Sequence, residues 1–251
     1  MADLIAGVTP GSETRTILPF VQSATKGDFC LMYDADSQEL VAYNYYHHVR
    51  RLTPFDDKPL PVVHFGSAYK KPDLRGGSII WRLGRHYARH LLGPFWYLKK
   101  IVGVTRTINP RVVEYFSELF PIVFPQADGV VPEKIHQFNA EHHWTNFKME
   151  VLHDKCPYSI HPFTVPGMDF TEMWKRRYHS RDPKMNDYIL DFEMVKAREG
   201  RFYQTDRLVH LVGLYDPVLL ARKRFLSQNL AQVYDKYSLQ SAKGPNLREL
   251  A

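Results

Sequence analysis

The sequence predicts a mainly α chain with one small β-hairpin, an irregular single domain with extended terminal arms. Three observations lead there. Amphipathic spacing of apolar residues marks Ile79–Leu92, and Leu219, Leu226, Leu230, Val233 and Tyr237 form a second stripe after Pro217. Asn109-Pro110 and Asp216-Pro217 each set a capping side chain before a proline at the first helical position. Only one pair of aromatic and β-branched runs, Phe29–Asp34 and Leu40–Tyr46, flanks a turn-like segment, Ala35–Glu39.

In chain order, residues 1–27 read as an extended arm with turn residues at Pro10-Gly11-Ser12, followed by the hairpin at about 29–46. Residues 53–77 hold Pro54, Pro59, Pro61, Pro72 and Gly76-Gly77 and read as an irregular connector. Helices are predicted at 79–92, 110–120, 132–154, 184–198 and 217–237, with a tail at 239–251. The 28–238 core shows no internal repeat and no composition shift that would mark a boundary.

With 251 residues, 44% hydrophobic and 24% charged, the chain can bury a sizeable core, which excludes disorder and a collagen-like fibre. Cys30 and Cys156 are far apart and outside any CxxC spacing, so a disulfide framework is excluded too. The first twenty residues carry no apolar signal core and no Arg-rich amphipathic start, and no apolar run approaches a membrane span. A peripheral protein with no transmembrane helix is the expectation. The net charge is +6, and it is concentrated: residues 51–100 hold ten Lys and Arg against three Asp and Glu. That stretch should face an anion.

The strongest single signal is Ile79–Gly103. At 100° per residue, Arg82, Arg85 and Arg89 fall within about 60° of one another, beside an apolar arc of Ile79, Ile80, Leu83, Tyr87 and Leu91. Trp81, Phe95, Trp96 and Tyr97 add interfacial rings, and Lys99-Lys100 close the run. Guanidinium groups pair with lipid phosphates and indoles favour the headgroup region, so Arg82, Arg85, Arg89, Trp81, Trp96, Lys99 and Lys100 are the candidate lipid-binding set. Against it stands an ordinary core helix with a solvated cationic face. Two smaller basic clusters, Arg176 and Arg177 beside Trp174, and Arg222 and Arg224 beside Phe225, are candidate interface residues. Asp169, Glu172 and Asp182 near the first of these favour a salt-bridge network over RNA.

Catalytic and metal readings fare less well. Glu133/His136 and Glu150/His153 have the Glu-x-x-His spacing of di-iron bundles, but one helix would hold them about 25 Å apart. His86 and His90 suit one metal at i, i+4 with no third ligand in reach of the sequence. No nucleophile elbow, Walker loop or Gly-x-Gly-x-x-Gly occurs. No catalytic residue, metal or cofactor is therefore assigned.

In overall character, a basic, ring-rich chain interrupted by prolines and without catalytic motifs, the sequence resembles the accessory subunits of the euglenozoan mitochondrial ATP synthase. That resemblance implies a non-enzymatic structural subunit, peripheral to the mitochondrial inner membrane. It would contact other subunits and cardiolipin, and contribute to assembly or dimer architecture. No residue role is carried over from it. An RNA-associated subunit, such as a mitochondrial ribosomal protein, is the alternative, and a metal-dependent enzyme with an unrecognised site is the second.

Overall fold

The computed structural model describes residues 27–71, 74, 79–107, 109–125, 131–135, 137–139, 164–165, 180, 182–191, 195–198, 201–204 and 208–225. They divide between two units, one of Met1–Arg50 with Pro61–Lys99, the other of Arg51–Leu60 with Lys100–Ala251.

In the first unit, β1 (Asp28–Tyr33) pairs antiparallel with β2 (Leu40–Thr53), Asp28 opposite Tyr46 and Cys30 opposite Asn44. The turn between them is set by Asp34, whose Oδ1 accepts from the amides of Asp36 and Ser37 at 3.1 and 2.9 Å. Every residue from Leu40 to His47 is buried, so this part of β2 is covered on both faces. β3 (Asp56–Lys70) follows, and α1 (Ile79–Leu92) buries Ile79, Leu83 and Tyr87, one residue per turn. Ile79 and Leu83 meet Ala42 in a small apolar cluster with Cys30, Met32, Leu74 and Ile80 packed against it. Burial, with Asp28 adding repulsion, pushes the Cys30 thiol up to about 11.

The second unit contains β4 (Ile101–Thr107), α2 (Pro110–Leu119), β5 (Ile122–Phe124), β6 (Thr164–Val165), α3 (Pro183–Asp191), β7 (Val195–Arg198), β8 (Arg201–Gln204), β9 (Leu208–Tyr215) and α4 (Pro217–Phe225). β9 lies between β4 and β5, antiparallel to both, with Gly213 opposite Gly103 on one side and Val123 on the other. β6 also pairs with β9, and β7 with β8 forms a separate two-stranded ribbon. Within the second unit the hydrogen-bonded order is β4-β9-β5.

Two glycines make the centre of this unit possible. Phe120, at the C-terminal end of α2, lays its ring over Gly103 and Gly213 and stacks on Phe116 at 4.3 Å. A methyl carbon on Gly213 would stand 2.7 Å from Phe120 Cγ and 2.8 Å from Phe116 Cε1. The helix that delivers these rings starts where Asn109 Oδ1 accepts from the Arg111 amide at 3.0 Å, with Pro110 next. α4 starts the same way, Asp216 Oδ1 accepting from Val218 and Leu219.

The mainly α expectation is wrong: a mixed sheet dominates the described residues. The 53–77 connector is largely β3. Pro59 and Pro61 are two apart, so their missing N–H groups face the same neighbour and the other edge keeps its donors. The 184–198 helix ends at Asp191, and Val195–Arg198 instead pairs antiparallel with Arg201–Gln204, which bonds its backbone groups across a ladder and not along a helix. β4 opens on the apolar run Ile101–Val104, β5 is apolar throughout and β9 is apolar but for His210, so none shows the alternation of a half-buried strand. Of the 132–154 helix, residues 133–135 and 137–139 are helical and 140–154 lie outside the described residues, as do the 1–26 arm, the helix beyond Phe225 and the tail.

His210, buried on β9 opposite Arg106, has its pKa pushed down to about 3 by burial and then by the Arg106 charge. It is neutral in the fold, while the unfolded chain protonates it near the ordinary histidine value of about 6.5. Below that value the unfolded state binds the extra proton, so stability present at neutral pH is lost progressively as pH falls toward 3. Urea melts at pH 7 and pH 5 should differ by about 2 kcal/mol from this group, and His210→Asn should flatten that difference. Gly213→Ala should cost about 1–3 kcal/mol by overpacking against Phe120, read in the same melts.

Candidate functional site

α1 is the element on which the sequence places most of its candidate residues, and its inner face explains how they are presented. Tyr87 is buried and stacks on Tyr46 of β2, centroids 4.2 Å apart and planes 7° from parallel. Its hydroxyl donates to Asp28 Oδ2 of β1 at 2.9 Å. The same oxygen lies 2.8 Å from His48 Nδ1, which then acts as the donor, and His48 Nδ1 is 3.6 Å from Asp28 Oδ2. Burial, with the hydrogen bond to Asp28, holds the Tyr87 phenol well above its ordinary value, so it stays a neutral donor. One side chain therefore ties the helix to two strands, and this fixes the rotation of α1 about its axis.

With Tyr87, Leu83 and Ile79 turned inward, Trp81, Arg82, Arg85, His86, Arg89 and His90 are exposed. Arg82, Arg85 and Arg89 make no ion pair among the described residues. α1 contains no carboxylate, and none occurs anywhere between Asp73 and Glu114. Successive guanidiniums three and four residues apart repel by a few tenths of a kcal/mol per pair, about 0.2–0.5. An external anion would relieve that repulsion. This is the physical content of the site: a row of cations spread over about 10 Å with no counter-charge paired to it among the described residues.

The C-terminal end of α1 is closed by its own sequence. Gly93 adopts the left-handed conformation at φ +84 and its amide donates to the Arg89 carbonyl at 2.9 Å. Lys99 Nζ donates to the Leu92 carbonyl at 2.6 Å, capping the negative end of the helix dipole. Residues Trp96–Leu98 form a single 3₁₀ turn between these caps.

The candidate residues divide accordingly. Trp81, Arg82, Arg85 and Arg89 share the exposed side of α1, while Trp96 is half-buried and Lys99 is engaged at the helix end. Lys100 belongs to the second unit, bound to Asp56 at 3.1 Å and near Asp216 at 3.7 Å. Asp56 is held below the usual carboxylate range by the Lys58 amide and then by Lys100. Arg222 is exposed on α4, which also carries Arg224. Trp174, Arg176 and Arg177 lie outside the described residues, together with His136, Glu150 and His153. Phe95 and Tyr97, read from the sequence as interfacial rings, are exposed beside Trp96, and so is Leu98, which sequence reasoning missed. Among the described residues no three His, Cys, Asp or Glu side chains converge on a metal-sized point, and no helix is long and apolar enough to cross a membrane.

Tyr87→Phe keeps the stacked ring and removes both hydroxyl contacts. It should lower stability by about 1–3 kcal/mol in a denaturant melt, because Asp28 and His48 lose a shared partner.

No known protein-family model matches the chain. No curated protein matches it. Among solved structures, the chain is similar to Chaetomium thermophilum Naa20 in complex with a bisubstrate analogue, with a TM-score of 0.31 and 12% identity, over 48% of this chain and 65% of that one. It thus spans less than two thirds of that structure.

Proposed function

We propose that this chain is a non-enzymatic accessory subunit of a membrane-bound assembly, and that α1 holds it against anionic lipid. The observation that carries the reading is the exposed row of Arg82, Arg85 and Arg89, without a carboxylate on its helix and without an ion pair among the described residues. Each arginine held near an anionic bilayer contributes about 1 kcal/mol, so three give selective but salt-sensitive attachment. The mitochondrial ATP synthase is the proposed host, on the resemblance in overall character described above, and cardiolipin the proposed lipid. RNA phosphate would satisfy the same arginines. The exposed Leu98 favours lipid, since an aliphatic side chain offers no face for a base to stack on.

Flotation with phosphatidylcholine vesicles, with and without cardiolipin, tests the site. The wild-type chain should bind the cardiolipin-containing vesicles more tightly than the neutral ones, and R82E/R85E/R89E should bind them about a hundredfold or more weaker at low salt. Equal binding by the triple variant would overturn the lipid reading. Native electrophoresis of gently solubilised membranes, stained in the gel for ATP hydrolysis, tests the host: co-migration with the ATPase band supports it, and migration as a free chain rejects it.

A further inference from the structure

Four large apolar side chains of the first unit are solvent-facing around α1: Trp81 at 41% exposure, Phe95 at 62%, Tyr97 at 46% and Leu98 at 62%. Three of them occupy one turn. We propose that the turn Gly93–Leu98 enters the lipid interface, with Phe95, Tyr97 and Leu98 reaching below the headgroups while α1 lies parallel to the surface. This rests on the anionic-lipid reading of the arginine row and adds to it a place and depth of insertion.

Backbone chemistry is the first support. A segment that leaves water must keep its amides and carbonyls bonded. In this turn the Gly93 amide donates to Arg89 O at 2.9 Å, Trp96 to Gly93 O at 3.1 Å, Leu98 to Phe95 O at 3.0 Å and Lys99 to Trp96 O at 3.0 Å. Pro94 has no donor to lose. The Leu92 carbonyl, which the helix end would leave open, is taken by Lys99 Nζ. The turn is therefore already dehydrated along much of its backbone.

Rigidity is the second. Tyr97 packs edge-on against Trp96 at 6.3 Å and against Phe95 at 6.5 Å, and Trp96 is half-buried. The exposed rings are thus set before any contact is made, and little side-chain freedom remains to be lost on insertion.

Charge decides the occupant. The stretch Leu91–Leu98 has no charged residue, yet it is bounded by Arg89 and Lys99, with Arg82 and Arg85 further along the helix. An apolar tip ringed by cations matches a bilayer whose headgroups are anionic and whose interior is apolar. Trp81 lies about 20 Å away at the other end of α1, which gives the helix a second interfacial ring and sets it along the surface.

The test uses the full chain, phosphatidylcholine–cardiolipin vesicles, and the variant F95S/L98S. Both side chains are exposed, so circular dichroism should show an unchanged melting curve. The wild type should stay bound at 0.5 M salt, a concentration about that at which surface charge is screened within a few ångströms, and brominated acyl chains should quench its tryptophan fluorescence. F95S/L98S should bind at low salt, release about tenfold or more at high salt, and lose most of the quenching. Salt-resistant binding and full quenching by F95S/L98S would overturn the proposal. So would wild-type binding that is abolished by salt without any quenching, although the surface reading would then stand. Failure of the wild type to bind cardiolipin vesicles at any salt would overturn both.

Discussion

Tyr87 fixes α1 in two different ways. Its ring, stacked on Tyr46, sets how close the helix lies to β2. Its hydroxyl, shared between Asp28 and His48, sets which way the helix is turned. A helix held by apolar contacts alone can roll by tens of degrees at small cost, because dispersion is not directional. A buried hydroxyl with two partners cannot, because rotation would leave polar groups unsatisfied. The outward direction of Arg82, Arg85 and Arg89 is a consequence of what Tyr87 does on the opposite side, and the position of the capped turn after Gly93 follows from the same constraint.

The second unit uses a different device for the same purpose. Gly103 and Gly213 face each other across β4 and β9, so the sheet has a bare patch where side chains would otherwise stand. Phe120 fills it, with Phe116 behind. Placing the bulk on the helix and the space on the sheet lets α2 approach the strands closely. It also makes the packing specific, since the ring fits one position along the strand pair.

How much of this could be read in the sequence depended on the kind of signal. α1 occupies the span marked by its amphipathic spacing, and Asn109-Pro110 and Asp216-Pro217 mark helix starts, because these features act within one turn. The sheet was hidden for the opposite reason. Residues 209–215 and nearly all of Ile101–Thr107 are buried, so both strands are covered on both faces and show neither alternation nor helical period, and their pairing joins residues about a hundred positions apart. Pro59 and Pro61 argued against a strand that formed anyway, since their spacing sends both defects to one edge. At the site, the arginine row was legible because all three residues lie on one helix. The fates of Lys99 and Lys100 were not: one caps its own helix and the other is paired with Asp56 and Asp216, contacts that only the folded chain brings together. Phe95 and Tyr97 were legible as interfacial rings, whereas Leu98 was not, because a leucine carries no polar handle that marks it for a surface.

The row of uncompensated guanidiniums beside the apolar turn also bears on colloidal behaviour. A rigid tip of Phe95, Tyr97 and Leu98 would by itself be an adhesive patch, prone to meet the same patch on another copy. Two copies brought together there would also bring two sets of three arginines into one low-dielectric region with no carboxylate on either helix. Like charge thus acts as a gatekeeper against homotypic clumping, in the way that charged residues flank sticky strands in other proteins. On the proposed reading an anionic surface would lift that repulsion, so the arginines that would recruit the chain would also hold its copies apart beforehand.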